Sequence, residues 1–205
     1  MSNNIERRFT TGSVERRQTE VEEMTRLVRG YAAKFNTRSE NLGTDKTQFF
    51  ETILPGAFDD VLLDDVRCLF NHDANLILAR SKAGKGSLRI GVDSTGLWYE
   101  FESPDTQTGE DLLESLSRGD VDQSSFAFTV AKDGQEWKQV KNGESIVNER
   151  TIKKVSKLYD VSPVTYPAYA DTSVALRNMP EPVSDPDFSA ADRERRLRIL
   201  SLSSL

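Results

Sequence analysis

Apolar residues in this chain gather in short runs of strand length, each closed by turn formers, and this spacing limits the fold more than any other feature. Val28-Arg29-Gly30-Tyr31-Ala32-Ala33-Lys34-Phe35 alternates with period two. Val66-Arg67-Cys68-Leu69-Phe70 and Leu76-Ile77-Leu78-Ala79 are apolar runs separated by the polar turn Asn71-His72-Asp73-Ala74-Asn75. Ser87 to Val92 and Leu97 to Phe101 flank Asp93-Ser94-Thr95-Gly96, a hairpin signal in which glycine is expected to supply a positive φ. Gln123 to Val130 and Leu158 to Thr165 read as further strands. Helical spacing is rare. Gly56 to Leu63 is expected to form a short helix. Thr106 to Arg118 is a clearer one, with Thr108 as its cap, an apolar stripe of Leu112, Leu113 and Leu116, and Gly119 as its stop. The expectation is a β-rich α+β domain.

The pattern ends near residue 180. Pro180 to Pro186 interleaves prolines with acids and Ser184, as linkers do. Ala190 to Leu200 beyond it is a candidate amphipathic helix: a solvated appendage, a partner-docking segment or a piece removed by processing. The boundaries expected are a domain over 1–177 and a Pro-rich linker and tail over 178–205.

Composition excludes several function classes. The net charge of -6 argues against a nucleic-acid surface. No apolar run approaches the roughly 20 residues that span a bilayer, and the polar start lacks the apolar centre of a signal peptide. The one cysteine, Cys68, allows no internal disulfide and reads as a small core residue. One histidine excludes a site built from several imidazoles of one chain. Any chemistry here uses His72 once or not at all, and no cofactor is expected.

Within Gln123-Ser124-Ser125-Phe126-Ala127-Phe128-Thr129-Val130, strand alternation puts Ser124 with Phe126 and Phe128 on one face. Ser125 shares the other with Ala127 and Thr129, where small side chains leave room for a substrate. Ser125 is therefore the better candidate nucleophile, although both also read as ordinary strand serines. A serine hydroxyl needs a base, and His72, at the end of an apolar strand, is the imidazole available. It also reads as a plain polar strand-end residue. The base in turn needs an orienting group. Asp160 stands in a largely apolar strand, where a carboxylate is costly unless paired, whether for catalysis or for capping backbone amides. Asp73 adjoins His72, but neighbouring side chains on an extended backbone diverge. Asp122 would face away from Ser125.

At these residues the chain resembles the prohead proteases of tailed phages, which are related to the herpesvirus assemblins. The stretches are Gly30-Tyr31-Ala32-Ala33-Lys34-Phe35-Asn36, Pro55-Gly56-Ala57-Phe58, Asn71-His72-Asp73, Gly96-Leu97-Trp98-Tyr99-Glu100, Ser125-Phe126-Ala127-Phe128 and Asp160 to Tyr169. They fall in the family's order and cover roughly residues 5 to 177. The resemblance implies a mostly antiparallel, barrel-like sheet with a few surrounding helices. It implies a catalytic His72, Ser125 and Asp160, although the family's acidic member is usually Glu and Ala127 replaces a frequent Gly. It further implies an endopeptidase acting in the host cytoplasm inside the immature procapsid. Its partners would be the major capsid protein with its scaffolding segment, and copies of itself through self-cleavage or self-association, with no nucleic acid or membrane. Arg80 and Arg89 are candidate electrostatic helpers. The competing readings are a non-enzymatic capsid-assembly or scaffolding protein, and a hydrolase of another ester or amide class.

Overall fold

A computed structural model describes residues 5–10, 14–18, 24–44, 48–142 and 145–165. Thirteen strands and one helix occur among them. The first nine strands are β1 (Glu6–Thr10), β2 (Val14–Gln18), β3 (Met24–Lys34), β4 (Gln48–Ile53), β5 (Val66–Leu69), β6 (Ile77–Lys82), β7 (Lys85–Gly86), β8 (Leu88–Val92) and β9 (Gly96–Glu102). After helix α1 (Gln107–Arg118) come β10 (Gln123–Val130), β11 (Gln135–Asn142), β12 (Ser145–Ile152) and β13 (Val155–Val164). They form a six-stranded sheet in the order β1-β10-β13-β5-β6-β7, a four-stranded sheet β2-β3-β9-β8 and a three-stranded sheet β11-β12-β4. Pairing is antiparallel except for β13 with β5 and β12 with β4.

The barrel-like expectation is therefore corrected. Closure requires every strand to pair on both sides, but β1 and β7 end the large sheet without pairing to each other. The expected surrounding helices reduce to α1 among the described residues. Residues 55–63 form successive turns instead, with bonds from the Asp59 N–H to Gly56 O and from the Val61 N–H to Phe58 O. Gly56 sits at φ 86, outside the right-handed helical region, so no regular helix starts there. In α1 the cap is Thr106, whose Oγ1 accepts the Gly109 N–H, not Thr108. Gly119 ends it at φ 76. The β8–β9 hairpin forms, but Gly96 is not at positive φ. It is needed for space: a Cβ there would lie 1.9 Å from the Ala33 carbonyl oxygen.

The inner faces of the six- and four-stranded sheets share one apolar core. Phe126 and Phe128 stack at 4.8 Å, Phe58 meets Phe126 edge-on at 5.7 Å, and Tyr99, Phe101, Leu112 and Leu158 fill the rest. Each such side chain, fully buried, contributes about 1.5–3 kcal/mol. Cys68 lies in this core, where burial pushes its thiol well above the ordinary range. At one edge, charge does the joining. Arg8 bonds Glu6 at 2.7 Å and Glu51 at 2.8 Å; Arg150 bonds Glu51 at 2.9 Å and also Glu6. All four side chains are at most 6% exposed, so this cluster fixes β1 to β4 and β12.

No helix among the described residues is long and apolar enough to cross a membrane. The linker and tail over 178–205 lie outside the described residues.

Candidate active site

β10 and β13 run antiparallel at the centre of the large sheet, with Ser125 opposite Ser162 and Ala127 opposite Asp160. Paired residues share a face, so Ser125, Asp160 and Ser162 stand together on the side away from the core. Ser124 points inward, where its Oγ lies 2.6 Å from the Tyr99 hydroxyl. Burial pushes the Tyr99 phenol well above its usual range, so it stays protonated there.

His72 reaches this face from the β5–β6 turn. The Asp73 N–H donates to Phe70 O at 3.0 Å, and both central residues, Asn71 and His72, have positive φ (54 and 58). Two left-handed L-residues in a row cost about 1–2 kcal/mol each. Asn71 tolerates that backbone, and its bonds help offset the cost. Its N–H donates to Pro163 O at 3.0 Å, and its Oδ1 accepts the Thr165 N–H at 2.9 Å. The turn is thus tied to the end of the strand that carries Asp160. Strain held at a functional residue by surrounding bonds is a recurrent feature of active sites.

The His72 ring lies between the two strands. Nδ1 is 2.5 Å from Asp160 Oδ1 and Nε2 is 2.5 Å from Ser125 Oγ. A carboxylate only accepts, so Nδ1 carries the proton and Nε2 is left to accept the serine O–H. Ser162, which sequence reasoning did not single out, donates to Asp160 Oδ1 at 2.9 Å, with its Oγ 3.3 Å from His72 Nδ1. The signal available was its place two residues after Asp160, on the same strand face. Ser125 and Ser162 are 0% exposed, so a substrate carbonyl reaches Oγ only when a bordering side chain moves.

The other candidates lie apart from this group. Asp73 Oδ1 accepts from Asn75. Asp122 is exposed. Arg80 forks onto Asp65, and Arg89 pairs with Glu100 at 3.2 Å. No cluster among the described residues has three or more side chains suited to a metal ion.

No curated protein matches the chain. Among solved structures, the bacteriophage T4 capsid assembly protease gp21 is similar, with 9% identity, a TM-score of 0.33, and coverage of 76% of this chain and 95% of that one. The model of the caudovirus prohead serine protease family matches residues 12–184. That span takes in β5, β10 and β13 and the turn that carries His72, and the chain accordingly belongs to this family of serine proteases.

Proposed function

We propose that the chain is the endopeptidase of procapsid maturation, which cuts the scaffolding portion of the major capsid protein and then itself inside the immature procapsid. The observation that carries this reading is the single imidazole bonded at once to Ser125 and Asp160. In the reaction, Ser125 Oγ attacks the scissile carbonyl while His72 Nε2 takes its proton. Asp160, still ionised, holds the ring and stabilises the imidazolium. His72 then protonates the leaving amine, and water hydrolyses the acyl-enzyme by the same route. In this reading residues 1–177 are the protease domain and 178–205 a self-processed tail.

The test is incubation of the full chain with its capsid protein, with products identified by mass. Ser125→Ala and His72→Ala are expected to abolish cleavage and retain the fold. Asp160→Asn loses most of the rate. Cleavage that continues in Ser125→Ala overturns the assignment, and identical tails in parent and Ser125→Ala chains overturn self-processing.

A further inference from the structure

Beyond the catalytic group, the outer face of the large sheet changes character. β13 pairs with β5 so that Arg67 lies beside Asp160, and Arg67 in turn lies opposite Arg80 of β6. Paired residues share a face. Ser81 is buried, so alternation along β6 brings Lys82 out on the side of Arg80, and Lys85 of β7 lies opposite Lys82. Four cations thus stand on the face that carries Ser125, in a chain whose net charge is -6. The carboxylate among them is Asp65. Arg80 forks onto it with two bonds of 2.7 Å, and Arg67 reaches it at 3.4 Å. The Arg80 bonds, with the charges of Arg67, Arg80 and Lys82, hold the Asp65 carboxyl down at about 2. Lys82 and Lys85 are exposed and make no ion pair among the described residues.

Lysine at a sheet edge guards against strand addition, and β7 is an edge. That role does not account for Arg80 and Lys82, one strand in, or for Arg67, two strands in. Two exposed apolar side chains frame the same strip. Ile77, opposite Leu69 at the start of β6, is 49% exposed. Leu63 is 69% exposed and lies by the β6–β7 turn, where a Cβ on Gly84 would be 3.1 Å from its Cδ2. A phosphate backbone would engage the cations and leave both apolar side chains in water. A polypeptide that carries carboxylates and apolar residues together covers both. β6 is six residues long, about 17 Å, which matches about three turns of an α-helix.

We propose that the β5–β6–β7 face is a docking surface for an acidic amphipathic segment of the protein substrate, held apart from the bond to be cut. Its carboxylates meet Lys82, Lys85 and the guanidinium groups around Asp65, and its apolar residues cover Ile77 and Leu63. β6 lies three strands from β10, about 14 Å across the sheet. A segment docked there leaves Ser125 free and tethers the cleavage site near it. The cationic face also steers an acidic partner towards the site. That the segment belongs to the substrate rests on the proposed function; the binding surface itself does not.

Binding is read by fluorescence anisotropy with the full Ser125→Ala chain, so that nothing is cut. The probe is a synthetic amphipathic helix with Glu on one face and Leu on the other, compared with the same peptide carrying Gln for Glu and with an oligothymidylate. The Glu peptide is expected to bind about tenfold more tightly than the Gln peptide, and less tightly as salt is raised. Lys82→Glu/Lys85→Glu removes the difference, and Ile77→Asp weakens both peptides. Arg89→Glu/Arg118→Glu, the same change of net charge placed elsewhere, leaves the Kd as it was. Equal affinity for the two peptides, equal loss in both double variants, or tighter binding of the oligothymidylate overturns the proposal. In the active chain, Lys82→Glu/Lys85→Glu is expected to raise KM for the capsid protein about tenfold with kcat near the parent value; an unchanged KM overturns the assignment to the substrate. No cleavage by the parent sinks the proposed function, and the binding measurement still decides the surface.

Discussion

Asn71 Oδ1 accepts the backbone N–H of Thr165 at 2.9 Å and lies 3.2 Å from its hydroxyl, so one side chain ties the His72 turn to the end of β13. The turn presents the imidazole and β13 presents Asp160, so the distance between base and orienting group depends on this tie. Asn71→Gly keeps the left-handed backbone but loses the bonds, at about 1–2 kcal/mol. Asn71→Ala loses both, at about 2–3 kcal/mol. Asn71→Asp retains both acceptor and backbone tolerance. Urea unfolding and kcat are expected to rank the variants Asp, Gly, Ala from mildest to worst. Equal effects of Gly and Ala would show that backbone strain contributes nothing here.

Ser162 shares Asp160 Oδ1 with His72. A hydrogen bond to a charged group is worth about 1.5–3 kcal/mol, and it holds the carboxylate in line with the ring. Ser162→Ala is expected to lower kcat roughly tenfold, the equivalent of about 1.4 kcal/mol. KM should stay near the parent value, because the hydroxyl is buried beneath the imidazole. An unchanged kcat would mean that His72 alone positions Asp160.

Behind the nucleophile, Gly30 leaves room for the Tyr99–Ser124 bond. A Cβ at residue 30 would lie 2.7 Å from the Tyr99 hydroxyl and 3.0 Å from Ser124 Oγ. Tyr99 is 0% exposed and packed within the apolar core. Gly30→Ala therefore costs about 1–3 kcal/mol as overpacking. Because Ser124 precedes Ser125, the displaced strand also lowers kcat. A calorimetric Tm equal to the parent's would show that the core yields at this point.

The strands that carry the site were legible because their core faces are apolar. Gln123–Val130 matches its expected bounds, and the alternation that puts Ser124 inward and Ser125 outward holds in β10. β1, β2, β4, β7, β11 and β12 were not foreseen, and for most of them the reason is physical. ERRFT in β1 and QEWKQVKN in β11 carry no apolar alternation. β1 buries charge against charge, and β11 and β12 hold each other by a full antiparallel ladder. Periodicity detects burial of apolar surface and is blind to burial of paired ions. The open sheets were missed for a related reason, since strand content says nothing about which edges pair. Ser162 was overlooked because its role depends on a partner across the sheet, which one strand's pattern does not reveal.

The paired ions carry a pH signature. Burial alone would raise the Glu6 carboxyl, but the Arg150 hydrogen bond and the charges of Arg8 and Arg150 outweigh it, so its pKa lies below the ordinary carboxylate value. The unfolded chain therefore binds the Glu6 proton at higher pH than the folded chain does. This contribution to stability is complete above the ordinary value of about 4.3 and fades as pH falls through the lower folded value. Glu6→Gln removes one carboxylate and leaves two buried guanidinium groups sharing Glu51, at about 3–5 kcal/mol near neutral pH. Its Tm should lie well below the parent's at pH 7, and the gap should narrow as pH is lowered past the ordinary carboxylate value and on through the lower folded one, where the parent protonates the same group. A gap that stays constant over that range would show that Glu6 ionisation does not hold β1 in place.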